Sequence, residues 1–496
     1  MPQRFAKYYA PGTARTVTPE FTNVPAAITA AAERFASSVA LDFQGRTLTY
    51  RQLGQQIDIA AQGLLDRGIR KGDRVSLLLP MSLDAVIAFH AVLRIGAVVV
   101  QHSPHTPAAQ LSRYFDDYEP VCAIVSEERL GVLTRIPSAA LPLSVIAVPR
   151  PPSQLDVTKI SLTGTISTLK RTAAVSTGKL ARPFMKREKP AEKGGADGFY
   201  VGKWRSVLTS ARIDADHPMP SGDDIALIMY GDEGGRHPLG SIITHGNLCA
   251  MAAQSLSWLA DTQPGQEASL AMWPLHSVVG VADALTTSLF HGRRVILIPA
   301  FDRAAVAKAV KKHRPVVLAA DTEVVDHLAA LAHDGKLDIV SIRVAFTPTS
   351  RITEETATSW LEATHQMPTI IGYGLEESCV VAAIPGISPH PEAIRALAAF
   401  SDSPGIVGIP FPATQMRVVD PSHRGRVLPT GDAGELMVKG PQVFHGYWGR
   451  PDKTSEVLTG DGWVLTGDMA VMDADGFVEI LGRVSSGRKR DCPTGQ

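Results

Sequence analysis

The first 150 residues alternate between two spacings of apolar positions. Between residues 50 and 64 apolar side chains recur every three or four positions, which predicts an amphipathic helix that Gly68 can end in a left-handed conformation. The continuous apolar run at residues 75–79 predicts a buried strand, and Ser82 can cap the helix that follows it. Further apolar runs that fit buried strands lie at residues 97–100, 121–125 and 145–148. Strands that alternate with helices indicate a parallel sheet covered on both faces.

The rest of the chain divides into two further patterns. Apolar runs that fit the core strands of a second α/β unit lie at residues 294–298, 316–318 and 341–346. Beyond residue 400, many short apolar runs separated by glycine turns are typical of a small β-barrel. We therefore predict an α/β protein with an N-terminal α/β subdomain at 1–215, a second α/β subdomain at 216–400, a β-barrel subdomain at 401–483 and a tail at 484–496.

Composition narrows the classes of function. The 496 residues include 49 Lys plus Arg and 49 Asp plus Glu, so no overall charge points to nucleic acid. The four cysteines lack metal-site spacing and fit free thiols in a reducing compartment. No signal-peptide pattern opens the chain, and the longest apolar stretch, residues 86–100, contains His90 and Arg94. We expect a soluble, cytoplasmic protein.

A glycine-rich loop between two apolar runs is the most informative stretch. Residues 225–230 are apolar, residues 231–240 contain four glycines, and a second apolar run begins at Ser241. Glycines let backbone amides approach a ligand closely, and clustered amides attract phosphate. A hairpin turn between two strands would give the same pattern. The loop alone favours neither interpretation.

This loop and the motifs after it resemble adenylate-forming enzymes, the superfamily of acyl-CoA synthetases, luciferases and peptide-synthetase adenylation domains. The family loop reads Tyr-Thr-Ser-Gly-Thr-Thr-Gly-x-Pro-Lys-Gly, and Tyr230, Pro238 and Gly240 are in register with it. The later matching motifs are Gly372-Tyr373-Gly374-Leu375-Glu376-Glu377, Gly434-Glu435-Leu436-Met437-Val438-Lys439-Gly440, Thr466-Gly467-Asp468 and Gly482-Arg483. The resemblance implies a large domain of two doubly wound parallel-sheet subdomains plus a small β-barrel.

The same resemblance implies roles for individual residues in a reaction that uses ATP, Mg²⁺ and CoA. Tyr373 would stack on adenine, Asp468 would bind the ribose hydroxyls, and Arg483 would contact the ribose or a phosphate. Glu377 would hold the magnesium ion. The implied catalytic set is Glu377, Thr244 and His245, and the remaining nucleotide-binding set is Tyr230, Gly234, Gly235, Arg236, Gly372, Gly374 and Glu376. The implied acyl-binding residues are His276, Ser277 and Gly280, with Ser277 in the strict register of the family's pocket histidine.

The chain departs from the family pattern at several of its phosphate-binding positions. The loop hydroxyls are absent, and Leu239 replaces the loop lysine, although Arg236 could supply a positive charge in its place. Glu376 replaces the threonine of the Gly-Tyr-Gly motif and brings a negative charge towards an anionic ligand. Pro348 stands where the family has glycine, which removes a backbone N–H. After Arg483 the family continues into a C-terminal lid domain, and that lid is missing from this sequence.

A basic segment interrupts the pattern before the loop. Residues 159–205 hold eleven Lys and Arg against three acidic residues, within a predicted insertion at 155–205. Such a segment could lie on an anionic membrane surface or form a solvated linker. Bacterial long-chain fatty acyl-CoA synthetases carry a similar insertion here, and the chain resembles them most.

Three functional hypotheses follow from the resemblance. The first is ATP-dependent activation of a long-chain fatty acid to an acyl-adenylate and then to acyl-CoA. The second is a catalytically inactive relative that binds an acyl chain, a nucleotide or a partner protein. The third is an acyl-AMP ligase that stops at the adenylate or passes it to a carrier protein.

Overall fold

The computed structural model describes most of the chain in several stretches. These are residues 6, 9, 12–150, 200–231, 238–258, 262–277, 280–299, 302–348, 359–360, 362–364, 369–373, 382–383 and 407–484. The chain forms two compact units. The N-terminal unit comprises Asn23–His245 with Pro274–His276, and the C-terminal unit comprises Met1–Thr22, Gly246–Trp273 and Ser277–Gln496.

The N-terminal unit contains nine strands and six α-helices within the described residues. The strands are β1 (Val39–Phe43), β2 (Arg46–Thr49), β3 (Arg74–Leu78), β4 (Val98–Gln101), β5 (Cys122–Ser126), β6 (Ser144–Val148), β7 (Tyr200–Lys203), β8 (Ile225–Tyr230) and β9 (Gly240–Thr244). The helices are α1 (Val24–Arg34), α2 (Tyr50–Asp66), α3 (Leu83–Arg94), α4 (Ala108–Tyr118), α5 (Leu130–Leu133) and α6 (Trp204–Val207). Single 3₁₀ turns occupy Glu127–Arg129 and Ser138–Ala140.

Seven of these strands form one sheet in the order β7-β6-β5-β3-β4-β8-β9. All neighbouring pairs are parallel except β8 and β9, which pair antiparallel. The predicted parallel sheet is confirmed. Because β8 pairs with β4, the compact unit extends to His245, whereas the sequence placed a boundary between residues 215 and 216.

Local chemistry explains where the first helices begin and end. The Thr49 hydroxyl accepts from the Gln52 backbone N–H while the Gln52 side chain accepts from the Thr49 N–H, a reciprocal cap at the start of α2. Gly68 follows α2 with a φ of 86°, as predicted. The Ser82 hydroxyl accepts from the Ala85 N–H and starts α3. Every residue of α3 except Asp84 is buried, so this helix packs against protein on nearly all sides.

The end of the predicted basic insertion belongs to the sheet. Strand β7 pairs in parallel with β6, and the Trp204 side chain in α6 is buried. Its indole N–H donates to Asp84 at 2.9 Å. The insertion is therefore shorter at its C-terminal end than the sequence predicted, and residues 151–199 lie outside the described residues.

The C-terminal unit contains twelve strands within the described residues. They are β10 (Ala268–Ala271), β11 (Arg294–Leu297), β12 (Val317–Ala319), β13 (Val344–Pro348), β14 (Thr369–Tyr373), β15 (Ala382–Ala383), β16 (Val407–Pro410), β17 (Gln415–Asp420), β18 (His423–Val427), β19 (Gly434–Lys439), β20 (Val464–Met472) and β21 (Val478–Arg483). The helices are α7 (His245–Trp258), whose first residue ends the N-terminal unit, a π-helix (Val281–Thr287), α8 (Ser288–Phe290), α9 (Arg303–His313), α10 (Thr322–His333) and α11 (Pro451–Val457).

These strands separate into a parallel and an antiparallel region. Strands β11, β10, β12, β13 and β14 are parallel neighbours in that order. Beyond β14, pairing is antiparallel through β15, β16, β21, β20, β19, β17 and β18. Strands β16 to β21 lie in the region predicted as a small barrel, and β15 lies before it. Strand β13 starts later than predicted because the Ile342 N–H bonds to the Ile339 carbonyl in a turn. No helix among the described residues is long and apolar enough to cross a bilayer.

Candidate functional site

The glycine-rich loop connects two paired strands at the edge of the N-terminal sheet. Tyr230, the last residue of β8, lies opposite Gly240, the first residue of β9. A Cβ on Gly240 would come within 2.6 Å of Ile228 Cγ2 and 2.8 Å of Tyr230 Cζ, so the tyrosine ring requires glycine there. The described loop residues are Gly231, Pro238 and Leu239, so the predicted phosphate-binding residues Gly234, Gly235 and Arg236 lie outside the described residues.

Tyr230 is fixed by helix α4. Its hydroxyl donates to Asp117 Oδ2 at 2.6 Å, and its ring centroid lies 4.7 Å from that of Tyr114. The Tyr114 hydroxyl donates to the Gly231 carbonyl at 3.1 Å. Helix α4 therefore forms hydrogen bonds with two successive residues, Tyr230 and Gly231, at the start of the loop. Burial and the hydrogen bond to Asp117 raise the pKa of Tyr230 above its usual range. Tyr230 therefore remains a neutral phenol.

His102 completes a cluster of rings beneath the loop. We call His102, Tyr114, Phe115, Tyr118 and Tyr230 the aromatic cluster. The His102 ring stacks on Tyr114 at 5.0 Å, and its Nε2 lies 2.9 Å from the Tyr118 hydroxyl. Burial, with a smaller effect of the nearby His276 charge, lowers the pKa of His102 to about 3. The imidazole is therefore neutral at physiological pH.

Sequence reasoning missed the contacts of this cluster. Asp117 and Tyr230 are 113 positions apart, and no local pattern links them. One signal was present: Leu111, Tyr114, Phe115 and Tyr118 recur at helical spacing, and all four are buried in α4. That spacing predicts a packed aromatic face, but it does not identify Tyr230 as its partner.

Thr244 and His245, predicted as catalytic, lie at the junction of β9 and α7 and are both buried. Thr244 pairs with Ile225 in the sheet. His245 Nδ1 accepts from the Val24 backbone N–H at 3.4 Å at the start of α1. Burial lowers the pKa of His245 to about 4, so its ring is neutral. Both residues lie at the end of the β8–β9 pair that is away from the loop, and their catalytic role stays a prediction.

The segment predicted to line the acyl pocket is a turn that starts a π-helix. The Ser277 hydroxyl accepts from the Gly280 N–H at 3.0 Å, and the Ser277 carbonyl accepts from Val281 at 3.0 Å. His276 is half-buried in the N-terminal unit, where its charge affects the pKa of His102. A π-helical turn is uncommon and often occurs at functional sites. The acyl-binding role of His276, Ser277 and Gly280 remains a prediction.

The Gly-Tyr-Gly motif begins at the end of a central strand. Gly372 and Tyr373 are the last residues of β14, and Gly372 lies opposite Pro348 at the end of β13. Both strands are parallel, so both end at the carboxyl edge of the sheet, where ligands bind in open α/β sheets. The predicted residues Gly374, Glu376 and Glu377 lie outside the described residues. The predicted magnesium ligand Glu377 is therefore untested, and the described residues contain no group of three metal-ligating side chains.

Asp468 and Arg483 lie together in the antiparallel region of the C-terminal unit. They are paired residues of β20 and β21, and Arg483 Nε is 3.3 Å from Asp468 Oδ1. The Arg483 guanidinium also donates to the Thr466 carbonyl at 3.1 Å, and Asp468 N–H donates to the Thr466 hydroxyl at 3.1 Å. The Asp468 side chain is 8% exposed and that of Arg483 is 66% exposed. The pair thus offers a fixed carboxylate beside an accessible guanidinium.

A second carboxylate, missed by sequence reasoning, lies near this pair. Glu435 is buried on β19 and lies 3.3 Å from Arg424 Nε. Burial raises the pKa of Glu435, the Arg424 charge and a hydrogen bond from the Gly467 backbone lower it, and the negative charge of Asp468 raises it by a smaller effect. Glu435 lies within the matched Gly-Glu-Leu motif, so the motif was a signal, but no local pattern connects Glu435 with Asp468.

Comparisons with known proteins bear on the family and the fold. The sequence model of the AMP-binding enzyme family matches residues 28–448. The long-chain-fatty-acid–CoA ligase of Bacillus subtilis is 28% identical over 464 residues, which cover 92% of this chain and 76% of that ligase. A luciferase-like enzyme from the mealworm Zophobas morio superposes with a TM-score of 0.74 at 17% identity, covering 96% of this chain and 99% of that one. The N-terminal domain of FACL13 from Mycobacterium tuberculosis gives 0.69 at 20% identity, covering 92% and 99%.

Proposed function

Because the chain belongs to the AMP-binding enzyme family, we propose that it activates a fatty acid with ATP and transfers the acyl group to CoA. The observation that carries this proposal is the Asp468–Arg483 pair, which presents a fixed carboxylate beside an accessible guanidinium. A carboxylate is a strong acceptor for hydroxyl donors such as those of ribose. The relatives named long-chain-fatty-acid–CoA ligases support a long acyl chain.

The proposed reaction has two steps. A carboxylate oxygen of the fatty acid attacks the α-phosphorus of ATP, and pyrophosphate leaves with the electron pair of the broken P–O bond. The thiolate of CoA then attacks the acyl carbon, and AMP leaves. Asp468 and Arg483 would hold the nucleotide during both steps, and Tyr373 would stack on its adenine. Glu377 would hold Mg²⁺, which neutralises phosphate charge when it is bound.

The phosphate loop is the part of the chain that favours a second candidate function. Leu239 is half-buried at the position of the family lysine and offers no donor to phosphate. Loss of one preorganised donor typically slows such chemistry about 10²–10³-fold. A relative that binds the nucleotide but performs no adenylation is therefore the alternative. Arg236 would have to replace the lysine charge in an active enzyme, and Arg236→Ala would then weaken ATP binding.

Product analysis tests the proposal. The protein would be mixed with Mg²⁺-ATP, CoA and one saturated fatty acid at a time, from about six to about eighteen carbons. Mass spectrometry would then follow acyl-CoA and AMP. We expect both products in equal amounts, with the largest yield for long chains. AMP with acyl-adenylate but no acyl-CoA would indicate an acyl-AMP ligase. ATP binding without either product would support the inactive relative.

A further inference from the structure

The N-terminal unit contains a cavity that the proposed reaction does not use. Helices α1, α2 and α3 enclose it, together with Arg212 from the segment before β8. Its volume of about 410 Å³ falls within the range of about 300–1,000 Å³ that is common for small-molecule sites. Both charged and apolar side chains line it, which is the composition of a site for an amphipathic ligand.

The cavity lies towards the edge of the sheet opposite to the glycine-rich loop. Helix α3 connects two parallel strands, so it starts at the carboxyl end of β3 and its last residues lie near the amino end of β4. The cavity residues His90 and Arg94 are in that last part of α3. Strand β8 is parallel to β4, and the loop leaves its carboxyl end. The cavity is therefore separate from the loop.

A buried arginine forms part of the cavity wall. The Arg94 side chain is 5% exposed, and its Nε lies 3.9 Å from Asp58 Oδ1. Its two terminal nitrogens donate to the carbonyls of His217 and Asp214 at 3.3 and 3.4 Å. These distances exceed the roughly 2.7–2.9 Å of strong charge-assisted hydrogen bonds. The buried guanidinium is therefore only weakly compensated by its protein partners.

Two exposed arginines add positive charge to the cavity lining. Arg51 and Arg212 both line it, and the Arg212 charge acts on the Asp58 carboxylate, whose pKa it lowers. The acidic lining residues are Asp58, which Arg94 already faces, and Glu33. Three guanidiniums against two carboxylates leave an excess of positive charge for an anion. A planar carboxylate matches the paired donors of a guanidinium.

Apolar side chains form another part of the wall, beside the uncharged polar residues Thr29 and Gln55. Pro25, Ile28 and Ile57 line the cavity and are buried. A small inorganic anion would leave this surface without a partner, whereas a carboxylate with an apolar body would cover it. We propose that this cavity binds a small monocarboxylate with an apolar chain or ring of about six carbons, whose carboxylate contacts the arginines and whose body lies on the apolar wall.

Calorimetric titration of the full chain without ATP tests this proposal. The probes are hexanoate, hexan-1-ol and inorganic phosphate. Hexan-1-ol has the same alkyl chain without the charge, and phosphate has negative charge without an alkyl chain. Thr29→Phe would fill the cavity from an exposed position on α1, and Arg212→Gln would remove one guanidinium from its lining. Arg205→Gln is the matched control, because Arg205 is an exposed arginine of the same unit that does not line the cavity. Circular dichroism would check that each variant folds.

We expect hexanoate to bind at least tenfold more tightly than hexanol or phosphate. Thr29→Phe should abolish hexanoate binding, Arg212→Gln should weaken it about tenfold, and Arg205→Gln should leave it unchanged. Hexanoate binding that is equal in the wild type, Thr29→Phe and Arg212→Gln would place the ligand elsewhere, including in an acyl pocket, and would overturn the proposal. Equal binding of hexanol or phosphate would also overturn it, because the ligand class would then be wrong. The hexanoate titration contains no ATP or CoA, so its outcome does not depend on whether the protein performs the proposed reaction.

Discussion

The Asp468–Arg483 pair and the Tyr230–Asp117 pair both contain a residue that matches a family motif, yet their surroundings differ. Arg483 is 66% exposed beside a fixed carboxylate, so this pair can contact a ligand without breaking its support. The Tyr230 hydroxyl instead donates a hydrogen bond to Asp117 at 2.6 Å, and the Tyr230 ring packs against Tyr114. A residue that matches a family motif can therefore have either of two roles in this chain. The first pair fits ligand binding, and the second fits support of the loop.

The largest expected effect is the loss of nucleotide binding in Asp468→Ala. Each charge-assisted hydrogen bond contributes about 1.5–3 kcal/mol, so losing the ribose contacts should weaken ATP binding about 100-fold. Fluorescence titration with a labelled ATP analogue would measure it. Asp452→Ala, at an exposed position in α11, is the control and should bind like the wild type. Unchanged affinity in Asp468→Ala would remove the distinction between the two pairs.

Asp117→Ala should act on stability instead. The part-buried Tyr230 hydroxyl would lose the acceptor of its 2.6 Å hydrogen bond, which should lower the free energy of unfolding by about 1–3 kcal/mol. Urea denaturation would measure this loss, with the exposed neighbour substitution Asp116→Ala as control. ATP affinity of the folded variant should fall far less than in Asp468→Ala. A 100-fold loss of affinity with no change in stability would show that Tyr230 and Asp117 serve the ligand directly.

The pH dependence of the free energy of unfolding would test the supporting role of the aromatic cluster through His102. The pKa of His102 is about 3 in the folded chain and about 6.5 when unfolded, so the unfolded chain binds more protons between these values. Stability from His102 is therefore present above pH 6.5 and decreases as the pH falls towards 3, by up to about 1.4 kcal/mol per pH unit. His245, with a folded pKa of about 4, changes in the same direction.

His102→Gln should reduce that slope, and unfolding free energies at several pH values between 7 and 5 would show it. The exposed His105 provides the control, because His105→Gln should leave the slope as it is in the wild type. An unchanged slope in His102→Gln would mean that the imidazole is not held neutral by the aromatic cluster.

The smallest expected effect belongs to Arg483→Gln. Since this side chain is largely exposed, solvent screens its charge, and we expect ATP affinity to fall about fivefold. Stability should change little for the same reason. Competition binding with AMP would measure the loss, and an effect as large as that of Asp468→Ala would indicate that the guanidinium is buried when nucleotide is bound.

Local patterns predicted the parts of the fold that local chemistry determines. The helical spacing from residue 50, the left-handed Gly68 and the Ser82 cap depend on neighbouring residues, and the structure confirms them. Contacts between distant residues had no such signal. The pairing of β8 with β4 moved the unit boundary to His245, and Asp117 lies far from Tyr230 in sequence.

Some features of the candidate site could likewise be predicted from the sequence, and others could not. The order of family motifs brought Asp468 and Arg483 into one prediction, and the strands β20 and β21 place them opposite each other. Burial, however, depends on the whole fold. The sequence did not indicate that Thr244 and His245 would be buried at the start of α7, or that the buried Glu435 would lie near enough to Asp468 for the Asp468 charge to raise its pKa.

Trapping the acyl-adenylate tests the central claim most directly. Wild-type protein and Asp468→Ala would be incubated with Mg²⁺-ATP, palmitate and hydroxylamine, and palmitoyl hydroxamate would be measured. The account predicts hydroxamate from the wild type and at least 100-fold less from Asp468→Ala, because that carboxylate holds the nucleotide. No hydroxamate from the wild type with any fatty acid would contradict an adenylating function. Equal amounts from both proteins would contradict the role given to Asp468.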